Sequence, residues 1–115
     1  MPDEAVAAGR GYGGLSLRFA PRAETAIRTD GGIEAQDSNM ALHAWAELEA
    51  LFEGRRAGAR ITIDRANPGF PDGWCLRHYG FLGVNFPGLA TYTLAPARPL
   101  VMKYRVTLYA GPASR

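Results

Sequence analysis

Short stretches in which apolar and polar residues alternate recur along the chain, and this is the period of half-buried β-strands. The clearest stretch runs over residues 100–109, and residues 15–19 and 60–64 show the same alternation. Residues 26–29 and 74–79 are two further predicted strands. Gly, Pro, Asn and Asp concentrate between these stretches, as in turns. Several short strands separated by turns predict an all-β, antiparallel β-sandwich.

Residues 40–53 fit both a helix and a strand. The apolar residues that a helix would place on one face are Ala41, Trp45, Leu48 and Phe52. The apolar residues that a strand would place on one face are Leu42, Ala44, Ala46, Leu48, Ala50 and Phe52, with His43, Trp45, Glu47 and Glu49 on the other. Helix propensity favours the first reading, and periodicity alone leaves both open.

The positions of turn-forming residues predict the turns, the loops and the boundaries of the domain. Residues 54–58 contain two Gly and two Arg and are predicted to form an exposed turn, which makes a hairpin of the segments on either side. Residues 67–73 combine Asn, Pro, Gly and Asp too densely for regular structure, so we expect a loop. We predict a flexible leader over residues 1–11, one sandwich domain over residues 12–112 and a tail over residues 113–115.

Composition narrows the classes of function. The chain has 115 residues, of which 47% are hydrophobic, enough for one domain with a core. The 13 basic and 11 acidic residues are spread along the chain and form no cationic stripe, so we predict no nucleic-acid partner. No apolar run approaches the ~20 residues of a membrane-spanning helix. The single cysteine excludes an intrachain disulfide, and the absence of a signal-peptide pattern predicts a cytoplasmic location.

Two histidines and two tryptophans are the first candidates for chemistry. Histidine exchanges protons near neutral pH, so His43 and His78 are candidate bases or metal ligands. Two histidines fall short of the three protein ligands typical of a catalytic metal site, so we favour structural roles and predict no metal and no cofactor. An exposed indole offers a flat face to a sugar ring, which makes Trp45 and Trp74 candidates for carbohydrate binding, with core packing as the favoured alternative.

Three other residues are candidates for binding. Arg77 has the guanidinium geometry that clamps a carboxylate or phosphate, and Tyr79 follows on the same predicted strand face. An ion pair between Arg77 and a neighbouring strand is the favoured alternative. Asn67 precedes a proline, where a turn role outweighs ligand binding. Cys75 is predicted to be a buried, inert thiol.

A motif within residues 64–80 resembles a bacterial family of unknown function that is often labelled "methane oxygenase PmoA". The matching residues are Asp64, Asn67, Pro68, Pro71, Trp74, Arg77, Tyr79 and Gly80, followed by the segments at 83–87 and 104–106. Where the family has His-Pro after the aspartate, this chain has Arg65 and Ala66. The resemblance covers the C-terminal part of a longer protein, so it implies a truncated or minimal version.

The resemblance implies a β-rich fold that belongs to a larger, mutarotase-like supersandwich of the kind seen in sugar epimerases. It therefore favours a strand for residues 40–53. It also implies a carbohydrate-related function, either sugar binding or part of a sugar-processing enzyme, with no catalytic residue assigned. The candidate ligand-binding residues are His43, Trp45, Asn67, Trp74, Arg77, His78 and Tyr79.

Two alternatives belong to other classes. The first is a structural module without a small-molecule site, which forms homo-oligomers through its exposed sheet edges. The second is the metal-dependent oxygenase that the family label names. Whether the chain is an enzyme stays open at this point.

Overall fold

The structure is a computed structural model that describes residues 5–7, 14–86, 92–94 and 96–111. These residues form strands and turns, and among them no helix is long and apolar enough to cross a membrane. The strands are β1 (Ala5–Ala7), β2 (Ser16–Arg18), β3 (Ala23–Thr29), β4 (Gly32–Glu34), β5 (Ser38–His43), β6 (Trp45–Phe52), β7 (Arg55–Ile63), β8 (Asp72–Arg77), β9 (Phe81–Asn85), β10 (Tyr92–Leu94) and β11 (Tyr104–Ala110).

Two antiparallel sheets pack face to face and confirm the predicted sandwich. The five-stranded sheet has the order β11-β7-β6-β3-β4, and the four-stranded sheet has the order β2-β9-β8-β5. The strands β1 and β10 pair with each other. The core between the sheets is built from alternate residues of the central strands, as a period of two requires. Its largest fully buried hydrophobic side chains are Ile27, Leu48, Ile61, Trp74, Leu76, Leu82 and Val84.

The chain is extended over most of residues 40–53, as predicted, but it does not form one strand. β5 ends at His43 and β6 begins at Trp45, and the two strands belong to different sheets. Ala44 is thus the point at which the chain crosses the sandwich. The prediction of one apolar face is correct within β6, where Leu48 is fully buried. It is wrong for Leu42, which lies on the outer side of the other sheet and is therefore largely exposed.

The hairpin of β6 and β7 is tighter than predicted. Phe52 pairs directly with Arg55, so the turn consists of Glu53 and Gly54 alone. Both residues have positive φ, 51° and 80°, as the two-residue turns that match strand twist require. The turn predicted over residues 54–58 was therefore wrong, because Arg55 already belongs to the strand.

Other boundaries differ from the predictions by a few residues. β8 begins at Asp72, inside the predicted loop, and β11 begins at Tyr104 rather than Leu100. Within residues 1–11, Ala5–Ala7 pairs with Tyr92–Leu94, and the remainder of that range lies outside the described residues. Residues 113–115 also lie outside them, so the division into leader, domain and tail stays a prediction.

A buried ionic cluster lies on the outer face of the five-stranded sheet. Glu47 is 0% exposed because arginines from both neighbouring strands cover it. Its carboxylate accepts hydrogen bonds from Arg28 at 3.1 Å, from Nε of Arg60 at 3.0 Å and from the Tyr109 hydroxyl at 3.2 Å. The cluster ties β3, β7 and β11 to β6 through one carboxylate.

We expect Glu47→Gln to lower the free energy of unfolding by about 3 kcal/mol, because breaking a buried ion pair leaves its partners partly buried without a counter-charge. Urea unfolding measures this loss. Glu53→Gln makes the same chemical change at the exposed turn and is expected to stay within about 0.5 kcal/mol of the parent protein. Equal effects of the two variants would show that the cluster contributes nothing beyond surface charge.

Candidate functional site

The crossing at Ala44 is held by hydrogen bonds from both sheets. The Asp30 carboxylate accepts the Ala44 N–H at 2.8 Å and lies 2.8 Å from Nδ1 of His43. The Ala44 carbonyl accepts the Ile63 N–H at 3.0 Å, and the Trp74 indole N–H donates to the His43 carbonyl at 2.7 Å. These bonds fix the His43 ring at one end of the sandwich.

Asp30 also orients the imidazole of His43. Burial alone would raise the pKa of Asp30, but hydrogen bonds from Ala44 and His43, together with the charge of His43, lower it. An ionised carboxylate can only accept, so Nδ1 of His43 carries the proton that faces it. The opposite nitrogen, Nε2, is buried and has no hydrogen-bond partner in the described part of the chain.

Two more unpartnered polar atoms lie at the same end, between the sheets. Asp72 pairs in register with His43, and Tyr104 begins β11 in the facing sheet. Within the described residues, neither Oδ2 of Asp72 nor the Tyr104 hydroxyl has a hydrogen-bond partner, although both atoms are buried. Such groups are rare in folded proteins, and each calls for an explanation such as a ligand or catalysis.

The acid–base properties of this pair follow from its burial. Asp72 is 5% exposed, and burial raises its pKa to about 6. The pKa of Tyr104 is also raised, first by burial and then by the negative charge of Asp72. Asp72 can therefore exchange a proton close to neutral pH, as a general acid or base must.

An open groove of about 500 Å³ lies beside Tyr104, where β7 ends and β11 begins. Its volume is in the range of small-molecule sites. The described residues that line it are Thr62, Ile63, Asp64, Arg65, Lys103, Tyr104 and Arg105. Charged groups dominate this lining, and Tyr104 contributes an aromatic ring.

The rim of the groove is held by the side chain of Asn67. Its amide donates to the Lys103 carbonyl at 2.7 Å and accepts the Lys103 N–H at 2.8 Å. The Asp64 N–H donates to the same carbonyl at 3.1 Å, and the Asp64 carboxylate accepts the Ala66 N–H. Asn67 thus continues the pairing between strands where β11 has not yet begun, so it acts as a positioning residue.

Four of the seven predicted site residues lie at this end. His43, Trp74 and Asn67 occupy the positions described above, and Trp74 is fully buried, so its indole packs in the core. Trp45 pairs in register with Thr62 of the groove. The Arg60 guanidinium lies 3.9 Å from the centroid of the Trp45 ring and covers part of it.

The other three predicted residues lie at the opposite end of β8. Arg77 is five residues from Asp72 along the strand, or about 17 Å, and donates to the Ser38 carbonyl. His78 contacts Asp37 and the Glu34 carbonyl through its two ring nitrogens. Tyr79 is exposed. The structure does not bring these residues together with His43.

Sequence reasoning missed Asp72 and Tyr104. Asp72 stood in a stretch whose composition indicates a loop, and its pairing with His43 joins residues 29 positions apart. Tyr104 looked like one more apolar residue in an alternating strand. The one available signal was a charged residue, Asp72, two positions before Trp74 and therefore on the same face of a strand.

Asp72→Asn is expected to remove a pH dependence of stability between pH 4 and 7. Burial raises the pKa of Asp72 to about 6, so the folded protein binds this proton more tightly than the unfolded chain does. The resulting stability is fully present below about pH 4 and is lost as pH rises through 6, at a cost of roughly 2 to 3 kcal/mol. The neutral amide of the variant does not ionise, so its free energy of unfolding shows no such loss.

Urea unfolding of the variant and the parent protein at pH 4, 5, 6 and 7 measures the difference. The free energy of unfolding of Asp72→Asn should rise relative to that of the parent protein as pH increases from 4 to 7. A pH-independent difference for Asp72→Asn would show that this carboxyl ionises normally.

Comparison with known proteins assigns the chain to a family. No curated protein and no solved structure matches it significantly. One family model, DUF6807, a family of unknown function, matches residues 2–115. That match covers nearly the whole chain, including both sheets and the groove. The protein therefore belongs to the DUF6807 family.

Proposed function

We propose that this domain binds carbohydrate in the groove at the end of β7 and the start of β11. The observation that carries the proposal is the composition of the groove: one aromatic ring, one carboxylate and several cations around a volume of about 500 Å³. A pyranose presents an apolar C–H face and a rim of hydroxyl groups. The Tyr104 ring can pack against the C–H face, and Thr62, Asp64 and Lys103 can form hydrogen bonds with the hydroxyl groups.

The neighbourhood of the groove supports the same proposal. Trp45 lies next to Thr62 in the sheet, so a second aromatic ring flanks the groove. Lys103 is fixed through its backbone by Asn67, so the rim is ordered before a ligand arrives. An ordered site loses less conformational entropy on binding.

Blocking the groove tests the proposal. We expect Thr62→Tyr to abolish sugar binding, because the larger side chain enters the groove from a strand that accepts tyrosine well. Thr107→Tyr is the control, since it makes the same change on the same side of the sheet, outside the groove lining. Amide chemical shifts recorded during titration with a panel of mono- and oligosaccharides map the site.

The expected shifts cluster at residues 62–65 and 103–105 and persist in Thr107→Tyr. Trp45 fluorescence gives a second readout beside the groove. If no saccharide of the panel changes any amide chemical shift, carbohydrate binding is contradicted. Shifts confined to Arg77–Tyr79 would place the ligand at the other end of β8.

The oxygenase named by the resembling family has no comparable support. Among the described residues no three His, Cys, Asp or Glu side chains come together as metal ligands. The closer identification with the family labelled "methane oxygenase PmoA" stays a prediction.

A second candidate function, self-assembly, is favoured by the exposed side chains of β11. Leu108 is 76% exposed and Val106 is 42% exposed, yet they pair in register with the buried Ala59 and Ile61. They therefore lie on the side of the sheet that faces the core, where the four-stranded sheet leaves them uncovered. We propose that a second copy of this chain pairs with β11, which is the edge of its sheet.

Light scattering at increasing protein concentration tests self-assembly. We expect a dimer for the parent protein and a monomer for Leu108→Lys, because a charge in the middle of an edge strand opposes pairing. Ile33→Lys is the control, at an equally exposed residue of the opposite edge strand, β4. A parent protein that stays monomeric at high concentration would rule this candidate out.

A further inference from the structure

We infer that the ligand of the groove is an acidic sugar, a pyranose that carries a carboxylate; this inference rests on the proposed function. The groove lining contains three cationic side chains, Arg65, Lys103 and Arg105, and one carboxylate, Asp64. In the described part of the chain none of the three cations forms an ion pair. With three cations against one carboxylate, the described lining of the groove carries a net positive charge.

The arginines on the outer face of the five-stranded sheet show the contrast. Arg28 and Arg60 both bind Glu47, and Arg56 binds Glu49 at 2.9 Å. The same sheet thus neutralises these arginines with glutamates from the neighbouring strand. The groove lining, as far as the structure describes it, contains no such glutamate, which suits these cations to an anionic ligand.

The backbone holds the three cations close together. Arg65 follows the end of β7, and Arg105 pairs in register with Thr62 of that strand. Lys103 is fixed by its hydrogen bonds to Asn67. The Arg65 guanidinium lies 6.0 Å from the centroid of the Phe70 ring, a contact that orients the side chain without neutralising it.

Asp64 distinguishes an acidic sugar from a simple anion. A carboxylate in the groove repels an inorganic anion but accepts hydrogen bonds from hydroxyl groups. A sugar acid satisfies both demands, because its carboxylate binds the cations and its hydroxyl groups donate to Asp64. Guanidinium and ammonium groups bind carboxylates through charge-assisted hydrogen bonds, which are about twice as strong as neutral ones.

Titration of the full chain with matched ligands tests this inference. The probes are glucuronate and galacturonate, the neutral sugars glucose and galactose, and acetate and inorganic phosphate, followed by calorimetry and amide shifts. We expect the uronates to bind about tenfold more tightly than the neutral sugars, and their affinity to fall as salt is added.

Lys103→Gln removes one cation and keeps the backbone bonds to Asn67, so the rim stays folded. We expect it to weaken uronate binding about five- to tenfold and neutral-sugar binding less than about twofold, because the glutamine amide still donates to a sugar hydroxyl but carries no charge. Arg55→Gln, an exposed site at the other end of β7, is the matched control and should change neither affinity.

Each outcome decides between the two claims. Equal affinity for uronates and neutral sugars, unchanged in Lys103→Gln, overturns the acidic ligand and leaves carbohydrate binding in place. Acetate or phosphate binding as tightly as the uronates overturns the sugar part and supports a simple anion site. No binding of any sugar, neutral or acidic, overturns the proposed function itself.

Discussion

The crossing of the chain at Ala44 is the constraint on which the candidate site depends. One residue passes the chain from the four-stranded sheet to the five-stranded sheet, and its N–H and carbonyl are bound by Asp30 and by Ile63. This crossing links the registers of both sheets. It sets His43 opposite Asp72 on one side and places the next strand so that Trp45 lies opposite Thr62 on the other. A shift of one residue would turn each of these side chains to the wrong face.

Two buried carboxyl groups, those of Glu47 and Asp72, differ in whether donors surround them. Glu47 accepts hydrogen bonds from donors on three strands. Its ion pairs are structural, because they fix how β3, β7 and β11 are arranged around β6. Asp72 is also buried, but its Oδ2 has no donor among the described residues, and burial raises its pKa. A buried carboxyl without a partner and with a raised pKa, whose charge acts on Tyr104 of the groove lining, marks a candidate functional site.

The alternating pattern predicted the sheets well and the junctions between them poorly. β7 follows from periodicity because its alternate residues are buried, and β11 shows the same alternation although Val106 and Leu108 are exposed. The crossing at Ala44 was invisible, since a small apolar residue continues the alternation of the strands on both sides and makes Leu42 look like a core residue. Site residues were harder to predict because pairing over long separations decides them. Lys103 and Arg105 resembled the solvent face of a strand, and only the register of β11 with β7 shows that they border a groove.

The groove and the uncovered apolar residues belong to the same strand, and this relates the two proposed functions. Tyr104 and Arg105 begin β11 at the groove, and Leu108 lies three residues further along its edge. A second copy that pairs along this edge would run past Arg105 and add its own backbone beside the groove. Assembly and ligand binding are therefore not competing explanations of β11. β11 has charged groups at one end and exposed apolar groups towards the other. Because alternate residues face opposite sides of the sheet, one edge strand can carry a ligand site and an interface side by side.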